Sequence, residues 1–467
     1  MVDIFVTIVA VIAYIIIFAV CSYVLIYFAH EDDNQDAYFP KMVVVMGLTT
    51  GIVSIMMLPL DVANRGSTHG GIPMDALWIT IYIVIAVLVV LLIPWAYFYY
   101  TNYDPEKKSK ACGSAFCGLI VFLVIFAIVG VVSYFFFSVA EVPCQFQNSS
   151  LVDGHRAAQA SRCPDCNFVT KNDVQQFQLS FILYFIAVLA LFGGFFFCVF
   201  GGIGFVSTPV DFFTTWRLRP KPINDVEFEY RKILIGQVCD TLIKNGVDFR
   251  RKNPRRSVYN NWRNEVYMLE EEWDKTVEAH KPNGIRILWY WANLFFCVVG
   301  ALLSLSWILH IFIYTIFGVD GFLNTWFSSM DGVWTFFGVI FFGIYALYLE
   351  LCVINGNFKF GFRIPILFAI HPMKATGTLM NSFLFNVGLI CLSSVGVTQF
   401  CTESFGLYAR STRISVIFTT SIQNLRILKY FWHVYVWILL AFTLLGAIYL
   451  CIRPREKRVN TLARIKA

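Results

Sequence analysis

Nine long and nearly uninterrupted apolar runs decide what this chain can fold into: Ile4–Phe28, Met42–Leu60, Leu77–Phe98, Phe116–Phe137, Ser180–Val206, Ile287–Phe317, Trp334–Ile354, Leu379–Val397 and Phe431–Cys451. A helix of roughly 20 apolar residues crosses a bilayer core of about 30 Å, and each run meets or approaches that length. The runs are apolar on all sides with weak periodicity, which suits helices surrounded by lipid, where backbone polar groups must be satisfied within the segment. Composition agrees, because 58% hydrophobic residues, 14% charged residues and a mean hydropathy of +0.66 lie outside the soluble globular range. The expected fold is all-α, a polytopic transmembrane helical bundle of about nine spans.

The first run is longer than the roughly 7–15-residue core of a cleaved signal peptide, and Met1-Val2-Asp3 brings no basic lead. It is expected to remain as an anchor. All 36 Lys and Arg residues fall outside the nine runs. With the long loop 207–286 placed in the cytosol, 28 of them lie on the cytosolic side and 8 on the other. Without the 15 in that loop the split is still 13 to 8. The positive-inside rule then puts the N-terminus outside or in a lumen and the C-terminus in the cytosol.

On the non-cytosolic side, loop 139–179 carries the acceptor sequon Asn148-Ser149-Ser150 together with Cys144, Cys163 and Cys166, and Cys401 is expected on the same side. An oxidising compartment favours disulfides among these four; the other nine cysteines are expected as free thiols. The domain order is a first membrane part (1–206, five spans), a cytosolic helical hairpin (207–286), a second membrane part (287–452, four spans) and a basic cytosolic tail (453–467), read as a positive stop that anchors the last span rather than as a site for anionic lipid. Within 207–286, apolar residues at near-helical spacing predict helices over about Asp225–Lys244 and Trp262–His280.

The insert His371-Pro372-Met373-Lys374 interrupts the apolar stretch before the eighth run. Proline disfavours helix at the residue before it, so a short re-entrant or interfacial helix is expected near 363–370, with Lys374 at the inner interface. Asn381 and Asn386 then fall inside the eighth span and need partners on neighbouring helices.

Few residues invite chemistry. Glu350 is the one carboxylate within a run; an intramembrane acid is by default a proton or cation site, although its predicted place near the cytosolic end favours a structural role. His310 and Asn293 lie in the sixth run, where a bond between helices is the plainer reading. Cys163-Pro164-Asp165-Cys166 lacks a second Cys/His pair for zinc and a strand–helix context for redox work. No phosphate loop, nucleophile elbow, zinc-protease helix or dinucleotide fingerprint occurs. The residues therefore point to no enzyme, cofactor, metal or nucleic acid, and to membrane lipid as the certain partner.

Several segments together resemble the lipocalin-interacting membrane receptor family, also called limb-region-1-like proteins. They are Tyr38–Lys41, Leu58–Arg65 (with Pro59, Asp61, Asn64 and Arg65), Ile93–Ala96, Asp331–Trp334, the block from His371, Pro372 and Lys374 through Leu389, and Gln423–Arg426 followed by Lys429-Tyr430. The likeness spans the membrane region in order and is nearer to plant- and protist-type members than to the lysosomal cobalamin exporter branch. It implies nine spans with a lumenal N-terminus. It also implies one of two roles: a receptor or transport-associated protein for a small molecule or its lipocalin-like carrier; or a lysosomal or endomembrane transporter of cobalamin or another organic solute, beside an ABC transporter. The hairpin 207–286 adds a third reading, a scaffold recruiting cytosolic partners. The membrane would be endomembrane (lysosomal) or plasma membrane. Deglycosylation is expected to raise gel mobility of the wild type and to leave Asn148→Gln unchanged; equal mobility of both before and after treatment refutes the assigned side.

Overall fold

A computed structural model describes residues 4–29, 38–64, 71–102, 108–148, 169–252, 256–281, 284–334, 336–359, 362–364, 368–370, 373, 378–410, 412–426 and 428–452. Among the described residues, nine helices are long and apolar enough to cross a membrane. They are α1 (Ile4–Phe28), α2 (Tyr38–Asn64), α3 (Met74–Thr101), α4 (Lys108–Phe137), α5 (Phe181–Arg217), α8 (Gly284–Ile316), α10 (Phe337–Lys359), α11 (Met380–Ser404) and α13 (Leu428–Ile452). Shorter helices are α6 (Asp225–Lys252), α7 (Arg256–His280), α9 (Phe322–Val333) and α12 (Arg413–Ile422). Two antiparallel strand pairs complete the fold, β1 (Val139–Asn148) with β2 (Val169–Gln178) and β3 (Phe362–Ile364) with β4 (Phe368–Ile370).

The chain divides into two compact units, one of Met1–Phe205 with Leu305–Leu445 and one of Val206–Ser304 with Gly446–Ala467. In the first, α11 is the axis. Of its 25 residues, 20 are buried, whereas only 6% of the apolar window of α1 is enclosed by protein. Close approach comes from small residues, which let backbones meet where lipid gives no hydrophobic drive. A Cβ on Gly396 of α11 would overlap the backbone of Gly193 and Gly194 in α5, and a Cβ on Gly204 of α5 would overlap the Cys352 carbonyl of α10. Pro59, inside α2, is accommodated because Gly343 of α10 leaves room for its ring.

At one end of this unit, strand β1 docks beside the chain after α12. Glu141 N donates to Asn424 O at 2.9 Å and Arg426 N to Val139 O at 3.3 Å. At the other end, Thr378 N donates to Phe28 O at 3.2 Å and Met373 N to Phe358 O at 2.8 Å, tying the lead-in of α11 to the ends of α1 and α10.

In the second unit, α6 and α7 form an antiparallel pair around Ile235, Val238, Leu242 and Leu269, with Trp262 and Val266 against them. Trp262 Nε1 donates to Leu242 O at 2.9 Å, and Phe228 stacks on His280 at 4.1 Å. Both helices outrun the sequence expectation, α6 reaching Lys252 and α7 starting at Arg256.

Three expectations are corrected. The segment near 363–370 is no re-entrant helix but the β3–β4 pair, with Phe362 opposite Ile370 and Ile364 opposite Phe368. Aromatic and β-branched residues prefer a pleated surface, and Pro365 disfavours helix at Ile364. The seventh span runs Phe337–Lys359 rather than Trp334–Ile354, so Glu350 is nine residues from its end, not four. The eighth span extends to Ser404, which puts Cys401 inside α11 as a buried free thiol and not on a loop bearing disulfides. The polar residues Thr398, Gln399, Thr402 and Glu403 make this last turn look like a loop in sequence, but enclosure by neighbouring helices supports it.

Gly204→Leu forces side-chain volume into the α5–α10 contact and should cost about 1–3 kcal/mol or more. Gly130→Leu, at a position of α4 where nothing lies within 4 Å of the added Cβ, should be nearly neutral. Thermal unfolding in detergent, with the two variants side by side, checks the contrast.

Candidate functional site

The eighth span, α11, is the least apolar of the nine and the most enclosed. These facts have one cause, since polar groups carried into a bilayer must face protein. Its hydroxyls bond their own helix. Ser393 Oγ donates to Leu389 O at 2.8 Å, Ser394 Oγ to Cys391 O at 2.9 Å, Thr398 Oγ1 to Ser394 O at 2.8 Å and Thr402 Oγ1 to Thr398 O at 2.7 Å. Such back-bonding satisfies the side chain without a partner helix. Asn386 is fully buried, and its carbonyl accepts from Asn357 Nδ2 of α10 at 2.9 Å. Asn381 stays local, Ser382 N donating to its Oδ1 at 2.7 Å, and Asn293 Nδ2 in the second unit donates to Trp289 O at 2.8 Å.

The C-terminal end of α11 is held by a polar and aromatic cluster. His310 Nε2 donates to Ser404 O at 2.9 Å and Asn324 Nδ2 reaches the same carbonyl at 3.3 Å. The carbonyls of a helix's last turn lack intrahelical partners, and these side chains supply them. His310 lies between the rings of Tyr314 and Phe405, 5.4 and 5.2 Å away. One turn back, Gln399 Nε2 donates to Glu403 Oε1 at 3.0 Å. Beside the cluster, Phe322, Leu323, Thr325, Trp326, Ser329 and Tyr345 line an open, mostly apolar groove of about 600 Å³.

Asp61, in the block Leu58–Arg65, is a buried clamp. Its Oδ2 accepts from Trp78 Nε1 at 2.8 Å and Ile414 N at 2.9 Å, and its Oδ1 from Arg413 N at 3.3 Å. A carboxylate at the first turn of α12 meets otherwise unpaired amides and the positive end of the helix dipole. Asn64 exchanges bonds with the backbone of Ile72 at 3.0 and 2.9 Å, which closes the turn between α2 and α3. Asp331 plays a similar part, accepting from Gly338 N at 3.0 Å and from Tyr408 at 2.8 Å.

Glu350 differs from both. It is 1% exposed in mid-helix, and neither carboxylate oxygen has a hydrogen-bond partner among the described residues. The structure does not bring it together with His310. Cys144 and Asn148 lie on β1, opposite Asp173 and Val169, with side chains outside the description. Arg65, Cys163, Cys166, His371, Pro372 and Lys374 lie outside the described residues. Among the described residues, no group of three or more His, Cys, Asp or Glu could hold a metal ion.

Sequence reading missed Asn357 and Glu403, and singled out Asp331 only as part of the segment Asp331–Trp334. Glu403 carried a usable signal, the four-residue spacing from Gln399, which reads as a helical pair once α11 is extended. The contact between Asn357 and Asn386 bridges 29 residues and has no local signature.

This arrangement defines a polytopic helical membrane protein built around a buried polar span. Residues 6–237 and 260–451 match the family described as LMBR1-like membrane protein, and the chain belongs to that family. It is 38% identical to a LIMR family protein of Dictyostelium discoideum across 98% of this chain and 99% of that relative. A LIMR family protein of Arabidopsis thaliana is 33% identical across 91% and 90% of the two chains, and one of Oryza sativa subsp. japonica is 33% identical across 97% of each. No solved structure matches. Of the stretch between the matched segments, 238–252 falls in α6 and 256–259 in α7.

Asp61→Ala strands the buried Trp78 Nε1 and two backbone amides, and is expected to lower stability by about 1–3 kcal/mol or more. Asp61→Asn retains one acceptor oxygen and should cost less. Unfolding midpoints in detergent rank the pair.

Proposed function

We propose that the chain is a non-catalytic, multi-pass membrane receptor or transport-associated protein, which takes a small molecule or its carrier at the end of the bundle bearing β1, β2 and α9. The observation that carries this reading is the state of the polar core. Ser393 and Ser394, candidates for lining a solute path, are fully buried and bonded to their own helix, which favours a packed bundle over a solute channel. Recognition then falls to the surface. There β2 exposes Val174 and Phe177, and the groove of about 600 Å³ opens beside α9. The charge distribution favours this end lying in the lumen or outside the cell, with the C-terminal tail cytosolic, in an endomembrane such as the lysosomal one or in the plasma membrane.

A second reading, a scaffold acting through 207–286, is favoured by one feature of the second unit. Val226, Tyr230 and Ile233 share one face of α6 by helical spacing and are 84%, 63% and 59% exposed, outside the hairpin core.

Purified protein in lipid nanodiscs is expected to bind a loaded lipocalin-class carrier saturably, and Val174→Glu with Phe177→Glu to weaken binding at least about tenfold, or about 1.4 kcal/mol. Absence of saturable binding refutes the receptor reading. Loss of partner pull-down on deletion of 224–280, with ligand uptake intact, would select the scaffold.

A further inference from the structure

Three buried carboxyl groups lie within the membrane helices of the first unit, and the protein treats them differently. Asp61 has three donors aimed at it. Glu403 has Gln399. Glu350 has none, although it is the most deeply placed: 13 residues from the start of α10 and nine from its end, or about 20 and 14 Å along the axis. A carboxylate held in a low-dielectric interior without donors is strongly unfavourable as a bare anion, and an apolar residue would fill the site at lower cost. Local rules broken without compensation inside the protein mark functional positions.

The surroundings specify what could offset the charge. The titratable groups of α11 within electrostatic reach of Glu350 are Cys391 and Cys401, both buried thiols. Cys21 of α1 lies next in line to Cys391, whose Sγ donates to Gly47 O of α2 at 3.1 Å. Between its start and Phe205, α5 contributes only Tyr184 and Cys198, the latter bonded to Tyr435 O at 3.2 Å. From α8, His310 is bonded to Ser404. No Lys or Arg is among these groups, so among the described residues no side chain supplies a positive charge at Glu350. Two turns from Glu350 on the same face of α10 stands Asn357, fully buried, with its Oδ1 unpartnered among the described residues and its Nδ2 tied to α11. It offers an oxygen ligand on the way to the nearer end of the helix.

We propose that Glu350 is an intramembrane cation-binding site, its carboxyl oxygens taking one proton or one small monovalent cation that enters from the Lys359 end of α10 past Asn357. The two sources share one chemistry, a single positive charge accepted by a buried acid between α10 and α11. The site would make the α10–α11 contact sensitive to the ion, and it stands independently of the receptor reading.

The test uses the full chain in nanodiscs and the apolar carbodiimide dicyclohexylcarbodiimide, which adds to the protonated form of a buried carboxyl; the adduct is mapped by peptide mass spectrometry. Labelling of Glu350 in the wild type is expected. If the ligand is a proton, labelling falls at least about tenfold between about pH 5.5 and about pH 8.5. If it is a metal cation, replacing choline chloride with sodium or potassium chloride at constant pH protects Glu350 at least about fivefold. Glu350→Gln, nearly isosteric and uncharged, should lose this adduct and still elute as a single folded species. Glu350 left unmodified throughout, or modified equally at every pH and in every salt, overturns the proposal without bearing on carrier binding.

Discussion

With no water in the hydrocarbon region, every polar group carried into it must find its partner in protein, and the first unit is arranged around that demand. The span with the most hydroxyl, amide and carboxyl groups, α11, is the one wrapped by the others. Ser393, Ser394, Thr398 and Thr402 use i−3 and i−4 carbonyls, and the buried end carbonyl at Ser404 is taken by His310 and Asn324. Glycines at Gly193, Gly204 and Gly396 let α5 approach the backbones of α10 and α11. Spans with few polar groups, α1 and α4, stay at the periphery.

The same demand explains why the family-like segments are spread along the chain. Asp61 holds the start of α12, Asn64 closes the turn into α3, and Asp331 joins the start of α10 to Tyr408. Each is a polar residue near the end of a helix, where an unpaired amide or carbonyl has to be met. Their role is to fasten the ends of helices. Glu350 falls outside this pattern, because among the described residues it meets no helix end and no donor.

Much of the fold was legible because span length and lack of polar residues are local properties. The bounds of α1 coincide with its apolar run, and all nine runs reappear as helices among the described residues. The failures share a cause. The β3–β4 pair lay in an apolar stretch that hydropathy cannot separate from helix. The last turn of α11 was polar enough to pass for a loop, and only its neighbours make it helical. The site was less legible still. His310 and Glu350 were visible as polar residues in apolar runs, but the carbonyl that His310 meets is 94 positions away, as the amide that Asp61 meets is 352 positions away.

By itself, the sequence determined that the chain crosses a membrane, in about nine helices, and which family it resembles, since hydrophobic length and short motifs are written residue by residue. Only the tertiary structure decided which span is central, which polar groups are satisfied, and that Glu350 sits near mid-span with no donor among the described residues. The physical reason is that burial in a membrane protein belongs to the assembly of helices: a polar residue's partner comes from whichever helix packs beside it, and no single segment encodes that neighbour.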